Sequence, residues 1–141
     1  MVYGVFIMNK DQRFLDALHL ICKEATGIPM MLLGAGEDWY DMIKYKEEPQ
    51  NPPTREQILD AWNNDVKYRF ALIDLKKRRN RLLTDSDWVV SRSTERGEEI
   101  PQEWKDYRQA LRDITIGNER PEVDEHGYAT FRDITFPTPP Q

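Results

Sequence analysis

The sequence predicts an α+β fold: a small α/β layer at the N-terminus, a long central helix paired with a C-terminal helix, and an extended tail. Three observations lead to this class: a β-rich apolar run at the start, apolar residues at helical spacing further on, and a proline-rich end. The 141 residues fit one domain with a small appendage. We divide them into modules at 1–50, 54–116 and 117–141.

The first 50 residues alternate between strand-like and helix-like patterns. Val2 to Met8 is a short apolar run typical of a buried strand. From about Asp11 to Ala25 apolar residues recur at helical spacing, and Thr26-Gly27 ends this predicted helix. Ile28 to Leu33 is predicted to be a short strand or a buried loop, and Glu37 to Lys46 a short helix.

The central helix begins after the linker-like segment EEPQNPP. Thr54 and Gln57 have the spacing of a capping box, and neither proline nor glycine interrupts the pattern before about Leu83. Its apolar residues form two stripes, so we expect two neighbours for this helix. The stripes are Ile58, Leu59, Trp62, Val66, Phe70 and Ile73, and Tyr68, Leu72, Leu75 and Leu82.

A second helix begins near Pro101, after possible caps at Thr84 to Asp87 and an acidic loop from Ser91 to Glu99. Its apolar residues fall within about 80° of the helical wheel and are interpreted as a face that packs on the core. They are Trp104, Tyr107, Leu111 and Ile114. Arg108 lies one turn from Trp104, a spacing that permits cation–π stacking.

The last segment is predicted to be extended. Gly127 permits a turn, Tyr128 to Phe136 has the pattern of one strand, and the final prolines favour a polyproline-type end. Such a segment can pair with a partner's sheet edge or lie in an aromatic groove. The proposed partner-binding residues are Tyr128, Phe131, Phe136, Pro137, Pro139 and Pro140, together with Lys77 and Arg78.

Charge and composition limit the classes of function that the sequence can have. The net charge of −5 disfavours a protein that binds nucleic acid by bulk electrostatics. The basic run KKRRNR (76–81) is interpreted as the solvated end of a helix, with Glu95, Glu98 and Glu99 as counter-charges and an acidic protein partner as the alternative. No apolar run has membrane-spanning length, and the start lacks the features of a secretory signal. A single cysteine suits a reducing cytoplasm.

The candidate chemical sites are weak, so we predict no catalytic residue, metal or cofactor. Asp124-Glu125-His126 lacks converging ligands, and the acidic residues after Gly34-Ala35-Gly36 would repel a phosphate. Cys22 lies on the apolar stripe of the first helix and is predicted to be a core residue. His19 borders that stripe and is predicted to be half-buried.

Two stretches carry a family resemblance. RNRLLTDSDW, an acidic spacer and EWKDYRQALRDIT together resemble the phage tail assembly chaperone family, and the closing FPTPPQ is a weaker match. The matching positions include Arg81, Leu82, Leu83, Asp87, Trp88, Trp104, Tyr107, Arg108, Leu111 and Ile114.

The resemblance implies a small non-enzymatic bacteriophage protein that helps tail or tail-fibre proteins to assemble in the host cytoplasm. It also implies a helical hairpin that turns at Ser86-Asp87, with Trp88 filling the corner. The alternative is a tail or baseplate component that stays in the virion. A third hypothesis is a binder of nucleic acid or another anionic partner through the basic run. Oligomeric state is left open.

Overall fold

The structure is a computed structural model that describes residues 12–34 and 38–141. Its elements are α1 (Gln12–Thr26), β1 (Met30–Leu32), β2 (Ile43–Tyr45), α2 (Arg55–Ala61), a π-helical turn (Trp62–Val66), α3 (Lys67–Asp85), α4 (Asp87–Arg96) and α5 (Gln102–Asp113). The chain divides into two compact units, Met1–Lys67 and Tyr68–Gln141. The described residues form helices and a small two-stranded antiparallel sheet, which confirms the broad α+β class. The strand predicted at Val2 to Met8 lies outside the described residues.

Helix α1 agrees with its prediction. It buries one face, made of Phe14, Ala17, Leu18, Ile21 and Cys22. It ends at Gly27, whose amide donates to the Lys23 carbonyl oxygen at 2.8 Å. Gly27 has a φ of 72°, which an L-residue adopts only with strain, so the glycine ends the helix as predicted.

The short helix predicted at Glu37 to Lys46 is wrong. Within the described part of that range the chain forms a turn at 38–42 and then β2, which pairs antiparallel with β1. The pair is extended by hydrogen bonds from Leu33 N to Met42 O and from Lys46 N to Pro29 O. Hydrogen bonds between the two strands therefore pair the backbone N–H and C=O groups in this segment. The spacing of the apolar side chains, on which the helix prediction rested, does not reveal this pairing.

The described residues of the first unit bury three aromatic rings. Phe14 contacts Trp39 and Trp62 edge to face, with centroid distances of 5.4 and 5.5 Å. Trp39 is 1% exposed and Trp62 is 4% exposed. Edge-to-face rings add to the free energy gained by burying their area, so this cluster is the centre of the unit's core.

The central helix opens as predicted and then departs from the prediction. Thr54 and Gln57 form the capping box, with both reciprocal hydrogen bonds present. At the π-helical turn, Lys67 N donates to the carbonyl oxygen of Trp62, five residues back. The predicted stripe from Ile58 to Ile73 assumed a constant step of about 100° per residue, and this wider turn breaks that step. Ile73 is 45% exposed, so its assignment to a buried stripe is wrong.

Helix α4 replaces most of the predicted loop at Ser91 to Glu99. It runs from Asp87 to Arg96, buries Val89 and Ser93, and ends at Gly97 with a φ of 64°. Helix α5 follows with Pro101 at its N-cap and agrees with the prediction. The antiparallel pairing of the long helix with α5 stays a prediction.

The tail contributes to the core of the second unit. Leu75 of α3, Ile114 at the end of α5 and Ile134 of the tail form one buried cluster, with Leu72, Phe131 and Phe136 packed against it. The strand predicted at Tyr128 to Phe136 is wrong, because only Ala129 pairs, in an isolated bridge with Val123. The chain then turns at Phe131, which has a φ of 57°, and Ile134 N donates to the Phe131 carbonyl oxygen.

Candidate protein-binding surface

Arg108 of α5 forms polar contacts with the residues at the junction between α3 and α4. Its Nη1 donates to the Leu83 carbonyl oxygen at 2.9 Å and to Ser86 Oγ at 2.6 Å, and its Nη2 lies 2.9 Å from Asp87 Oδ1. Ser86 is buried, and its hydroxyl also donates to Leu83 O. The family-like residues at 83, 86, 87 and 108 therefore form one polar network, rather than the cation–π stack on Trp104 that the spacing permits.

Three rings form an aromatic ladder beside this junction, namely Trp88, Trp104 and Tyr107. Trp88 contacts Trp104 edge to face at 5.6 Å, and Trp104 contacts Tyr107 in the same way at 5.7 Å. Exposure falls along the ladder, since Trp88 is 52% exposed, Trp104 is half-buried and Tyr107 is buried. Burial, followed by the negative charge of Asp85, raises the pKa of the Tyr107 hydroxyl.

The prediction that Trp88 fills a buried corner is wrong. Val89, the next residue of α4, points to the core, and neighbouring residues on a helix lie about 100° apart. The continuation of α4 beyond Trp88 thus turns the indole toward solvent. The ladder presents an aromatic edge at the surface of the second unit.

The tail residues predicted to bind a partner have two different environments. Phe131 and Phe136 contact each other at 5.7 Å, and the Arg78 guanidinium lies 5.2 and 4.3 Å from their ring centroids. With Ile134 buried, this part of the tail packs on its own unit, which corrects the expectation of an extended segment available to a partner. Tyr128 and Pro139 are exposed, and Pro137 and Pro140 are half-buried. The sequence analysis did not single out Ile134 as a core residue, because its burial depends on Leu75 and Ile114, which are distant in the sequence.

The segment Asp124-Glu125-His126 has a structural role. Asp124 Oδ1 accepts hydrogen bonds from the amides of His126 and Tyr128, and Gly127, with a φ of 81°, completes the predicted turn. In the part of the chain that the structure describes, no group of His, Cys, Asp or Glu residues could hold a metal ion. The same residues contain no helix long and apolar enough to cross a membrane.

The remaining predicted sites lie in the first unit. Cys22 is buried, as predicted, and burial raises the pKa of its thiol. His19 is exposed rather than half-buried, and its Nδ1 lies 2.8 Å from the Leu15 carbonyl oxygen. Of the glycine segment 34–36, only Gly34 is described.

The basic run remains largely solvated. Lys76, Lys77 and Arg81 are exposed, and Arg79 Nε donates to the side chain of Asn80 at 3.0 Å. Glu99, one of the predicted counter-charges, pairs with Lys105 of α5 at 3.2 Å.

Residues 72–141 match the sequence model of a family described as phage tail assembly chaperone protein. This stretch lies within the second unit, which begins at Tyr68. The second half of the chain therefore matches the phage tail assembly chaperone family, as the resemblance predicted, and the match extends to the last residue. This match supports a role in tail assembly. No curated protein and no solved structure matches the chain.

Proposed function

We propose that this protein is a non-enzymatic tail assembly chaperone that binds a phage tail or tail-fibre protein in the host cytoplasm before assembly. The observation that carries the proposal is the coincidence of the family match, residues 72–141, with the compact unit Tyr68–Gln141. The matched residues include the Arg108 network and the aromatic ladder. The second unit is therefore the part that we assign to partner binding.

The aromatic ladder is the contact that we propose for the partner. Tryptophan and tyrosine dominate the binding energy of many protein interfaces, because they bury a large area with few rotatable bonds. About half of the Trp88 surface is exposed, and its ring packs edge to face against Trp104. Tyr128 and the exposed Pro139 extend the set of candidate contact residues.

Co-expression with the neighbouring tail genes, followed by purification through this chain, tests the proposal. We expect a tail protein to be recovered with the wild-type chain. Trp88→Ala should reduce its recovery by about tenfold, the loss typical of an interface anchor, without unfolding the chaperone. Ile116→Ala is the control, because Ile116 is 73% exposed but takes no part in the ladder. Equal recovery with Trp88→Ala and the wild type would remove the ladder from the interface.

Mass spectrometry of purified particles tests whether the contact is transient. A chaperone leaves before the particle is complete, so this chain should be absent or present only in traces. Recovery in a fixed ratio to a major tail protein would contradict the chaperone role and support a structural tail or baseplate component.

A further inference from the structure

We infer that one face of α3, which we call the outer face and define by Ile73, Lys77 and Arg81, binds an acidic amphipathic helix of the partner. This inference rests on the proposed function, because it names the chemistry of the tail protein that the chaperone would hold. It adds to the aromatic ladder a second contact of a different kind.

Helix geometry places the three residues on one side. They follow one another at intervals of four, so each lies about 40° further round the helix than the one before. Leu75 lies two residues from both Ile73 and Lys77, roughly on the other side, and it is fully buried. The face that carries Ile73, Lys77 and Arg81 is accordingly turned away from the core of the unit.

The outer face combines free positive charge with exposed apolar surface. Among the described residues, neither Lys77 nor Arg81 forms an ion pair or a side-chain hydrogen bond. Arg78 differs from them, because its guanidinium lies over Phe131 and Phe136. Ile73 is 45% exposed one turn before Lys77. A ligand that covers the exposed surface of Ile73 would therefore displace only water and no contact within the protein.

A partner helix with acidic residues one turn apart, and an apolar residue one turn before them, fits this arrangement. Ile73 and Arg81 are eight positions apart, which corresponds to about 12 Å along the helix, slightly more than two helical turns. Acidic side chains would steer the encounter with Lys77 and Arg81, while the apolar contact on Ile73 contributes affinity.

A nucleic acid fits the outer face less well. Its phosphates would contact the cations but gain nothing from Ile73, and the net charge of −5 opposes a polyanion at long range. The exposed isoleucine thus favours an acidic polypeptide.

Fluorescence anisotropy with the full chain and three labelled probes tests the inference. The probes are a synthetic helix carrying Leu, Glu and Glu at intervals of four residues, a scrambled peptide of the same composition, and a DNA duplex of similar length. We expect the ordered helix to bind at least about tenfold more tightly than the scrambled peptide, a difference of about 1.4 kcal/mol. Binding should weaken with added salt because part of it is ionic.

Charge reversal locates the binding. The double variant Lys77→Glu/Arg81→Glu should weaken binding of the ordered helix at least about tenfold, and Ile73→Ser should weaken it about threefold. The matched control is Arg92→Glu/Arg96→Glu, since these two arginines are exposed one turn apart on α4. Equal weakening by the control pair, tighter binding of the duplex than of the ordered helix, or no saturable peptide binding up to about 1 mM would each overturn the inference.

The same double variant separates this inference from the proposed function. If the wild-type chain co-purifies with a tail protein and the variant loses it, both stand. If the variant retains the tail protein at the wild-type level, the outer face is not the contact, although the chaperone role survives. If the wild-type chain recovers no tail protein, the proposed function fails, whatever the synthetic helix shows.

Discussion

The two units use tryptophan in opposite ways. In the first, Trp39 and Trp62 are almost completely buried against Phe14. In the second, Trp88 exposes 52% of its surface and rests edge-on against Trp104. All of these indoles make close edge-to-face contacts, but only the first pair lies inside a core.

This difference follows the family match. The family residues, 72–141, cover most of the unit with the exposed indole and leave out the aromatic core of the first unit. A large apolar side chain that is kept at the surface forgoes burial worth about 2 kcal/mol or more. Binding a partner would recover that free energy, so the second unit is the better candidate for the protein's function.

Replacing an indole in each unit should give the largest contrast. We expect Trp62→Ala to lower the free energy of unfolding by about 3–5 kcal/mol, because it empties a buried site and removes the contact with Phe14. Trp88→Ala should cost about 1 kcal/mol, mainly the loss of one edge-to-face pair. Urea denaturation monitored by far-UV circular dichroism measures the free energy of unfolding of both variants. Comparable losses in the two variants would mean that Trp88 belongs to a core after all.

Ile134→Ala tests whether the tail is structural in the second unit. Ile134 is 7% exposed and packs on Leu75 and Ile114, so truncating it should cost about 2–4 kcal/mol. Thr135→Ala is the control, since Thr135 is exposed. A wild-type thermal melt for Ile134→Ala would show instead that the tail does not contribute to the core.

Arg108→Ala should have an intermediate effect. It removes the charged donor for Leu83 O and Ser86 Oγ and leaves buried Ser86 without that partner, at a cost of about 1.5–3 kcal/mol. Arg112→Ala, one turn further along α5, removes an exposed arginine and should change stability by about 0.5 kcal/mol or less. Similar unfolding free energies for the two variants would show that the network at the α3–α4 junction is dispensable.

The sequence predicts the helical parts best where a cap or an uninterrupted period defines them. Helix α1, the capping box at Thr54 and Gln57, and the buried stripe of Tyr107, Leu111 and Ile114 all follow from local spacing. The family resemblance likewise came from a run of residues in fixed order.

The remaining features depend on contacts between distant residues. Ile134 is a core residue because Leu75, 59 positions earlier, lies beside it, and no local pattern carries that information. The exposure of Trp88 depends on the continuation of α4 beyond residue 91, where the acidic composition had indicated a loop. For the candidate site, helical spacing identified Trp104 and Tyr107, the family resemblance identified Trp88, and composition identified the basic run, but the exposure of these residues required the structure.

The smallest effect that we predict is a loss of stability at alkaline pH. Each unit contains groups that contribute to this loss. Burial raises the pKa of Cys22 and of Tyr45 in the first unit and that of Tyr107 in the second. In the unfolded chain these groups ionise at their ordinary values, about 8.5 for cysteine and about 10 for tyrosine. These groups therefore keep their protons to a higher pH in the folded state than in the unfolded chain. Their contribution to the free energy of unfolding is fully present below about pH 8 and declines as the pH rises through 9 and above.

Urea midpoints measured from pH 7 to 10.5 test this dependence. Tyr45→Phe should make the decline shallower through the first unit, and Tyr107→Phe through the second, because each variant removes one group that ionises more readily when unfolded. Ile116→Ala, a change at an exposed residue that does not ionise, is the control and should leave the slope as in the wild type. If both core variants declined as steeply as the control, these two hydroxyls would not be the source of the alkaline loss. If only Tyr45→Phe changed the slope, the proton-linked stability would reside in the first unit alone.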